Sequence, residues 1–551
     1  METMRTTYNQ PAPSLTYNDY DWRNNVIAQS ETDYDIAGNV LGQHSFDLNP
    51  GDNSGITTSS TNYIRRSVYY WYDKAGRETV QADYGSGGAN WAYYAKPARP
   101  GSAPASSSAS YLVTKTAYNA NTGRVDLSTD PMGRNSKMTF NALGQITNQW
   151  QNYINGSSAD ADKDVETRFT YDGLGNILTL TAVNAATGNQ VTTYLYGDLY
   201  NASLETNTIY PDSTDTNASG TDQVKTTYFL NGDVKTITDQ NGTLRTLSYD
   251  SQRRLSADNV TTLGSNVDGT VRKIGRTYTW NGALASVASY NASNAILDEI
   301  KYEYDSNHNL AKLYQSHSGA VNVSTTPYIQ YTYAGIVNGH RLATLKYPSN
   351  KTLTYGYDTR NELTTISEGA TTLATYVNSG SGNPMQTTYN QPAVSLNYTG
   401  GGMDRFGRIA NHAWMKSGSA LARIQHAYDY ASNRTYREDL VSTTNSEFYT
   451  YDAVNQVKSL NRGTLNAGKT GVTSPNFTET WNFDKTGNWA QYVRAGVTEN
   501  RTHNKANEIQ TTYPFHEVRL QDLPLTSDTA VAIRCYLAAA STAASVGGVG
   551  D

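Results

Sequence analysis

Apolar and polar residues alternate along this chain in runs of a few residues, each stopped by an Asp, Asn or Gly cluster. The stretch RFTYDGLGNILTLT shows the unit. Phe169 and Tyr171 sit two apart before the break; after it Ile177 and Thr179 share one face while Leu178 and Leu180 share the other, which is strand periodicity. Asp172 stands where a side-chain oxygen can cap a type I turn, and Gly175 supplies the left-handed backbone that returns the chain to the sheet. The segment predicts a β-hairpin. Where Gly is replaced, the left-handed position is expected on Asn307, Asn361, Asn433 or Asn455, or on His308 beside the first.

The unit recurs throughout. It reads YDIAGN at Tyr34, Asp35 and Gly38; YDKAGR at Tyr72, Asp73 and Gly76; FNALGQ from Phe140; and YDGLGN at Tyr171, Asp172 and Gly175. Later copies begin at Tyr249, Tyr304, Tyr357, Asp404, Tyr428, Tyr451 with Asp452 (YDAVNQ), and Phe483. A second turn type carries Asn-Gly, at Asn231-Gly232 and Asn241-Gly242, and WNGALASV follows from Trp280; Asn-Gly is a strong short hairpin signal. No long amphipathic helix is apparent. The repeat therefore predicts an all-β array of antiparallel hairpins over residues 1–513.

Three segments break the rhythm. Residues 97–110, PARPGSAPASSSAS, read as an exposed flexible loop inserted between units. MRTTYNQPAPSLTYN at Met4 and MQTTYNQPAVSLNYT at Met385 nearly coincide, which suggests a duplication or a higher-order repeat. From residue 514 to 551 the unit vanishes, and this tail, expected to be disordered or the product of a shifted frame, holds the sole cysteine, Cys535.

Composition narrows the classes. Among 551 residues the charged share is 17%, against roughly a quarter in ordinary globular chains. Tyr dominates the aromatics, with 43 against 9 Phe and 8 Trp. The net charge of -6, without a basic block, argues against nucleic acid or anionic lipid as partner. One cysteine excludes an intrachain disulfide framework. No apolar run is long enough for a membrane span, and the N-terminal stretch has no signal-peptide core.

The YDxxGN/R phrase followed by an alternating run resembles the YD repeat of the Rhs family, which includes Tc insecticidal toxin components and teneurins. The resemblance extends from about Tyr17 to about Asn507. It implies a β-strip that spirals into a hollow shell, wholly or in part, in a secreted or cell-surface protein. An enclosed toxin and other shell components are the implied partners, and cell-surface glycans are a further one. Full-length members end in a core-associated segment with a DPxG-type cleavage motif. The one match here, Asp130-Pro131-Met132-Gly133, lies early inside an ordinary repeat, so the chain reads as a fragment lacking that cassette.

Residue chemistry adds no enzyme. An aspartyl mechanism at Asp130 needs a second convergent carboxylate. Asp160, Asp162, Asp164 and Glu166 resemble the start of a calcium loop but lack Gly at the sixth position and Glu at the twelfth, so they are expected to form a solvated loop. His44, His308, His317, His340, His412, His426, His503 and His516 are scattered and read as turn or surface residues. No catalytic residue, cofactor or metal site is assigned. Trp71 with Tyr69, Tyr70 and Tyr72, and Trp91 with Tyr93 and Tyr94, are the places where sugar-stacking rings would lie. The fixed place of Tyr within the unit favours a structural role in cross-strand packing. The reading is a non-enzymatic YD/Rhs-repeat scaffold, with a carbohydrate-binding or adhesive module as the alternative and an autoproteolytic protein as the third.

Overall fold

The computed structural model describes residues 3–7, 14–20, 26–49, 63–86, 98–211, 223–334, 341–358, 360–379, 383–398 and 402–513, with side chains from Ala28 to Thr512. They form 38 strands, from Thr3–Thr7 to Ile509–Tyr513, in one sheet. Each strand pairs antiparallel with its neighbours in the chain, and the first and last have one partner each. The sheet is thus an unclosed ribbon of hairpins. Among the described residues the one helical element is a 3-10 turn, Thr443–Asn445. The TTYNQPA duplicates form equivalent hairpins, with Thr6 opposite Leu15 in one and Thr387 opposite Leu396 in the other.

The ribbon has little core. Sixteen hydrophobic side chains are buried among the described residues, so no second layer packs along most of the sheet. The largest cluster joins Tyr69, Trp71, Ala82 and Val113 near the first hairpins. What sets the shape is local bonding at the turns.

Each turn satisfies itself. The Asp172 N–H donates to Asn176 O at 3.0 Å and the Gly175 N–H to Asp172 O at 3.2 Å. Asp172 Oδ1 accepts from the N–H groups of Leu174 and Asn176, both at 2.9 Å, and Oδ2 accepts from Asn176 Nδ2 at 2.8 Å. Asp35 makes the same set with Ala37 and Asn39, and Asp73 with Ala75 and Arg77. This geometry accounts for the Asn or Arg that ends the phrase: only a side chain with an N–H donor reaches the second carboxylate oxygen. Gly175 has φ +94°, a left-handed conformation that a Cβ would disfavour. The left-handed position falls on His308 rather than Asn307 and on Ser432 rather than Asn433, while Asn361 and Asn455 occupy it as expected. Gly232 and Gly242 are also left-handed and close the same kind of turn, so the Asn-Gly units are variants of one design. Between Thr170 and Tyr171 the register shifts as Tyr171 pairs with Ile177, and the resulting bulge interrupts the simple alternation read across Ile177 to Leu180.

Tyr at the strand end links one hairpin to the one before it. Within a hairpin the ladder reaches the turn, but between hairpins it stops early: Asn148 and Arg168 are the last pair, leaving Ile146 and Tyr171 beyond it. Tyr171 Oη spans this gap and donates to Ile146 O at 2.7 Å. The hydroxyls of Tyr72, Tyr118, Tyr196, Tyr228, Tyr249, Tyr278, Tyr304, Tyr333, Tyr357, Tyr428 and Tyr451 each donate to a carbonyl at or just before the start of the adjacent strand, at 2.5 to 3.0 Å. At the corresponding place Asn378 Nδ2 donates to Leu363 O at 2.9 Å. All these staples fall on one edge of the ribbon, because each ends the first strand of a hairpin.

Removing one hydroxyl should leave one carbonyl to water and cost about 0.5–1.5 kcal/mol. Tyr171→Phe, Tyr249→Phe and Tyr304→Phe are each expected to lower the free energy of unfolding by this amount, read as a lower urea midpoint. Phe140, which ends the strand Asn135–Phe140 without a hydroxyl, is the converse test. Phe140→Tyr should raise the midpoint.

Candidate functional site: the seam between coils

The ribbon meets itself. The loop after the tenth strand contacts the turn after the thirty-fifth, twenty-five strands later. Hydrogen bonds across this seam join residues 291 to 340 positions apart. One edge of the ribbon carries the tyrosine-stapled turns. In the later coil these turns dock onto loops of the opposite edge in the earlier coil.

The contacts are polar and local. Ser86 N–H donates to Arg405 O at 2.7 Å. A Cβ on Gly85 would lie 2.2 Å from the same carbonyl, so this close approach requires glycine. Arg134 Nη1 donates to Ala453 O at 3.0 Å, and Ala453 N–H donates to Asp162 Oδ2 at 3.0 Å. Lys485 Nζ donates to Ser158 O at 2.7 Å and to Asp164 O at 3.2 Å. Farther along, Asn184 Nδ2 donates to Asp484 Oδ2 at 2.8 Å, and Gln190 pairs with Asn507 through both side-chain amides.

The acidic loop is therefore only partly solvated, because Asp164 and Glu166 are buried. Asp164 is buried and accepts from the N–H groups of Ile154 at 2.7 Å and Ser158 at 3.0 Å. Burial opposes its charge, but these and further backbone N–H groups outweigh it and hold the carboxyl down to about 2. Asp160 stays at the surface, paired with Lys163. Glu166 bonds Arg168 through both oxygens and also accepts from Asn148 Nδ2. Opposite, burial pushes Asp452 up, with the Asp162 carboxylate adding to the effect.

Two cavities lie along the seam. One of about 630 Å³ is bounded by Leu180, Gln190 and Tyr210 on the early coil and by Asn504 and Asn507 on the late one. The other, about 470 Å³, lies between Arg134 and Asp162 on one side and Asp429, Tyr449 and Asp452 on the other. Among the described residues no group of three His, Cys, Asp or Glu is placed to hold a metal.

Two of the aromatic residues singled out for sugar stacking, Trp71 and Tyr72, are engaged within the sheet. Trp71 is 7% exposed, and the Arg99 guanidinium covers its ring at 4.7 Å. Tyr72 is committed to the staple with Val40 O. Trp91, Tyr93 and Tyr94 lie outside the described residues, as do the tail 514–551 and its Cys535. The Pro/Ser/Ala-rich loop is tied down where it is described: Arg99 Nη2 donates to Tyr70 O at 2.6 Å, and Ser107 Oγ accepts from Val113 N–H at 2.9 Å. Three histidine expectations also change. His44 is buried and hydrogen-bonded to Ser67 and Asp33. His412 and His426 face one another with ring centroids 5.5 Å apart, and burial, aided by the Arg434 charge, brings His426 down to about 4. The seam residues Asn184, Gln190 and Lys485 carried no sequence signal, because nothing local pairs a residue with another 300 positions away.

No family model and no curated protein matches the sequence. Solved structures match its fold. The chain is similar to the crystal structure of TcdB2-TccC3-TEV, at 14% identity and a TM-score of 0.56, over 90% of this chain and 27% of that one. It is similarly related to the crystal structure of TcdB2-TccC3, at 13% identity and a TM-score of 0.55, over 90% and 28%. A Photorhabdus luminescens Tc holotoxin pore gives 13% identity and a TM-score of 0.56, over 90% and 27%. The chain thus spans little more than a quarter of the length of these structures.

Acid should loosen the acidic loop at the seam. Asp164 has a folded value near 2 against about 3.9 unfolded. Its charge therefore supports the fold above about pH 4, and that support is lost as the pH falls through about 2. Amide exchange at Ile154 and Ser158 should accelerate over this range. Asp164→Asn should exchange rapidly already at neutral pH. Lys485→Met should loosen the same loop with no such pH dependence of its own.

Proposed function

We propose that the chain is a non-enzymatic YD/Rhs-type scaffold forming part of the wall of a secreted or cell-surface, toxin-like shell. The observation that carries this reading is the seam. A ribbon with little core winds back on itself and joins edge to edge through its turns, which is how a sheet makes a wall around space. Its fold likeness to Tc toxin complexes supports the same reading. The function is mechanical: hairpins extend the wall, tyrosine staples hold neighbouring hairpins, and seam contacts hold neighbouring coils. Export and an enclosed toxin follow from the Rhs resemblance and belong to this proposal.

The other two readings find less support. The carbohydrate-binding alternative drew on Trp71, whose ring is packed under Arg99, and on Trp91, which lies outside the described residues. For autoproteolysis, Asp130 is absorbed by its own turn: Oδ1 accepts from Met132 and Arg134 N–H groups, both at 2.9 Å, and Oδ2 from Arg134 Nε at 2.8 Å. These bonds repeat the set made by Asp35, Asp73 and Asp172, which marks a turn cap.

Scattering and negative-stain imaging of the purified chain test the wall directly. A compact chain of this length would have a radius of gyration of about 24 Å. A coiled wall should exceed that value and show a centre of low density in class averages. A filled particle near the compact value would overturn the proposal.

A further inference from the structure

The seam uses only part of each edge. The turns at Asp404, Asp452, Asp484 and Asn504 dock on the earlier coil, whereas among the described residues the first-coil turns that carry Leu143, Leu174, Leu230 and Trp280 leave those side chains exposed. Their third position makes the comparison direct. Phe406 and Val454 stand there in docked turns and are partly covered, whereas Leu143 and Leu174 stand there in free turns and are exposed. The free edge also presents Ile36, Leu230 and Trp280 at its turn tips, with Ile36 94% and Trp280 86% exposed. A row of exposed apolar side chains along one rim marks an unpartnered surface.

The complementary surface is present on the same molecule. The edge that receives turns in the first coil continues, free, along the last coil. There its loops expose Tyr389, Leu440, Val441 and Val497. Both free rims are continuous with an interface already formed between coils. We propose that the free turn rim of the first coil docks on the free loop rim of the last coil of a second copy, stacking chains head to tail. Such a contact joins unlike surfaces, so it leaves one rim open at each end and grows without closing.

The experiment uses the full chain in sedimentation velocity from about 1 to about 100 μM, a span of two decades that resolves modest affinities. The wild type is expected to form concentration-dependent oligomers larger than a dimer. A turn-rim variant, Leu174→Glu with Leu230→Glu and Trp280→Glu, should remain monomeric, as should a loop-rim variant, Val441→Glu with Val497→Glu. Mixed together, the two variants should form a one-to-one dimer and nothing larger, because each keeps the rim that the other lacks. Milder Trp280→Ser with Leu230→Ser should weaken association at least about tenfold while leaving the circular dichroism unchanged. A wild type monomeric across the range, oligomers that persist in either variant alone, or variants that fail to dimerise on mixing would each overturn the proposal. A separate component that occupies the turn rim in place of a second copy would show as the last of these results together with a monomeric wild type.

Discussion

A tyrosine hydroxyl bonded to a backbone carbonyl of the preceding hairpin is the contact on which this structure depends. Antiparallel hairpins with tight, bulged turns splay where neighbouring turns diverge, and the ladder between them ends early. A carbonyl left there would be satisfied only by water. The Tyr ring spans the gap, covers sheet surface and donates the missing bond. Phe can do the first two of these and not the third. The hairpin junctions therefore account for part of the excess of Tyr over Phe, with twelve tyrosines making this contact among the described residues, and each junction contributes only about 1 kcal/mol net.

Because stabilisation is distributed in this way, the molecule behaves as a quasi-one-dimensional array. Contacts within and between adjacent hairpins carry most of the structure, and the buried clusters are few and small. Such a ribbon needs other devices to keep its curvature. Turn carboxylates lock each tip, Arg side chains lie over neighbouring Tyr rings, as Arg254 does over Tyr278, and the seam ties coil to coil. The seam is built mostly from backbone groups, amides and charges, with modest apolar burial. It resembles a polar rim more than a core, so its contribution responds to pH and to single substitutions.

The two edges of the ribbon have different chemistry. One edge consists mostly of compact turns, many of them Asp-initiated, whose second and third residues lie at the tip. The other has loops of variable length, including the acidic loop around Asp164 and the segment that covers Trp71. Insertions are tolerated on that edge because its loops lie outside the staples, whereas the turn edge is constrained by φ, by the Asp bonds and by Tyr reach.

The sequence by itself determined the strands, the turns and the all-β class. Those are local properties: alternation sets strand faces, Asp and Gly set the turn, and repetition makes the pattern unmistakable across Asp35, Asp73 and Asp172. It also located the Tyr, though not the carbonyl that each Tyr reaches, since that partner lies 15 to 40 residues back at a spacing that varies with loop length. Only the tertiary structure decided which loops meet. Asp164 looked like a solvated carboxylate because its partners are backbone N–H groups, which every residue carries and no side-chain pattern reveals. Trp71 looked available because the residue that covers it, Arg99, sits in a loop whose composition suggested freedom. The pairing of Asn184 with Asp484 and of Gln190 with Asn507 depends on the accumulated twist of twenty-three to twenty-five strands, a sum of small rotations that no single segment encodes.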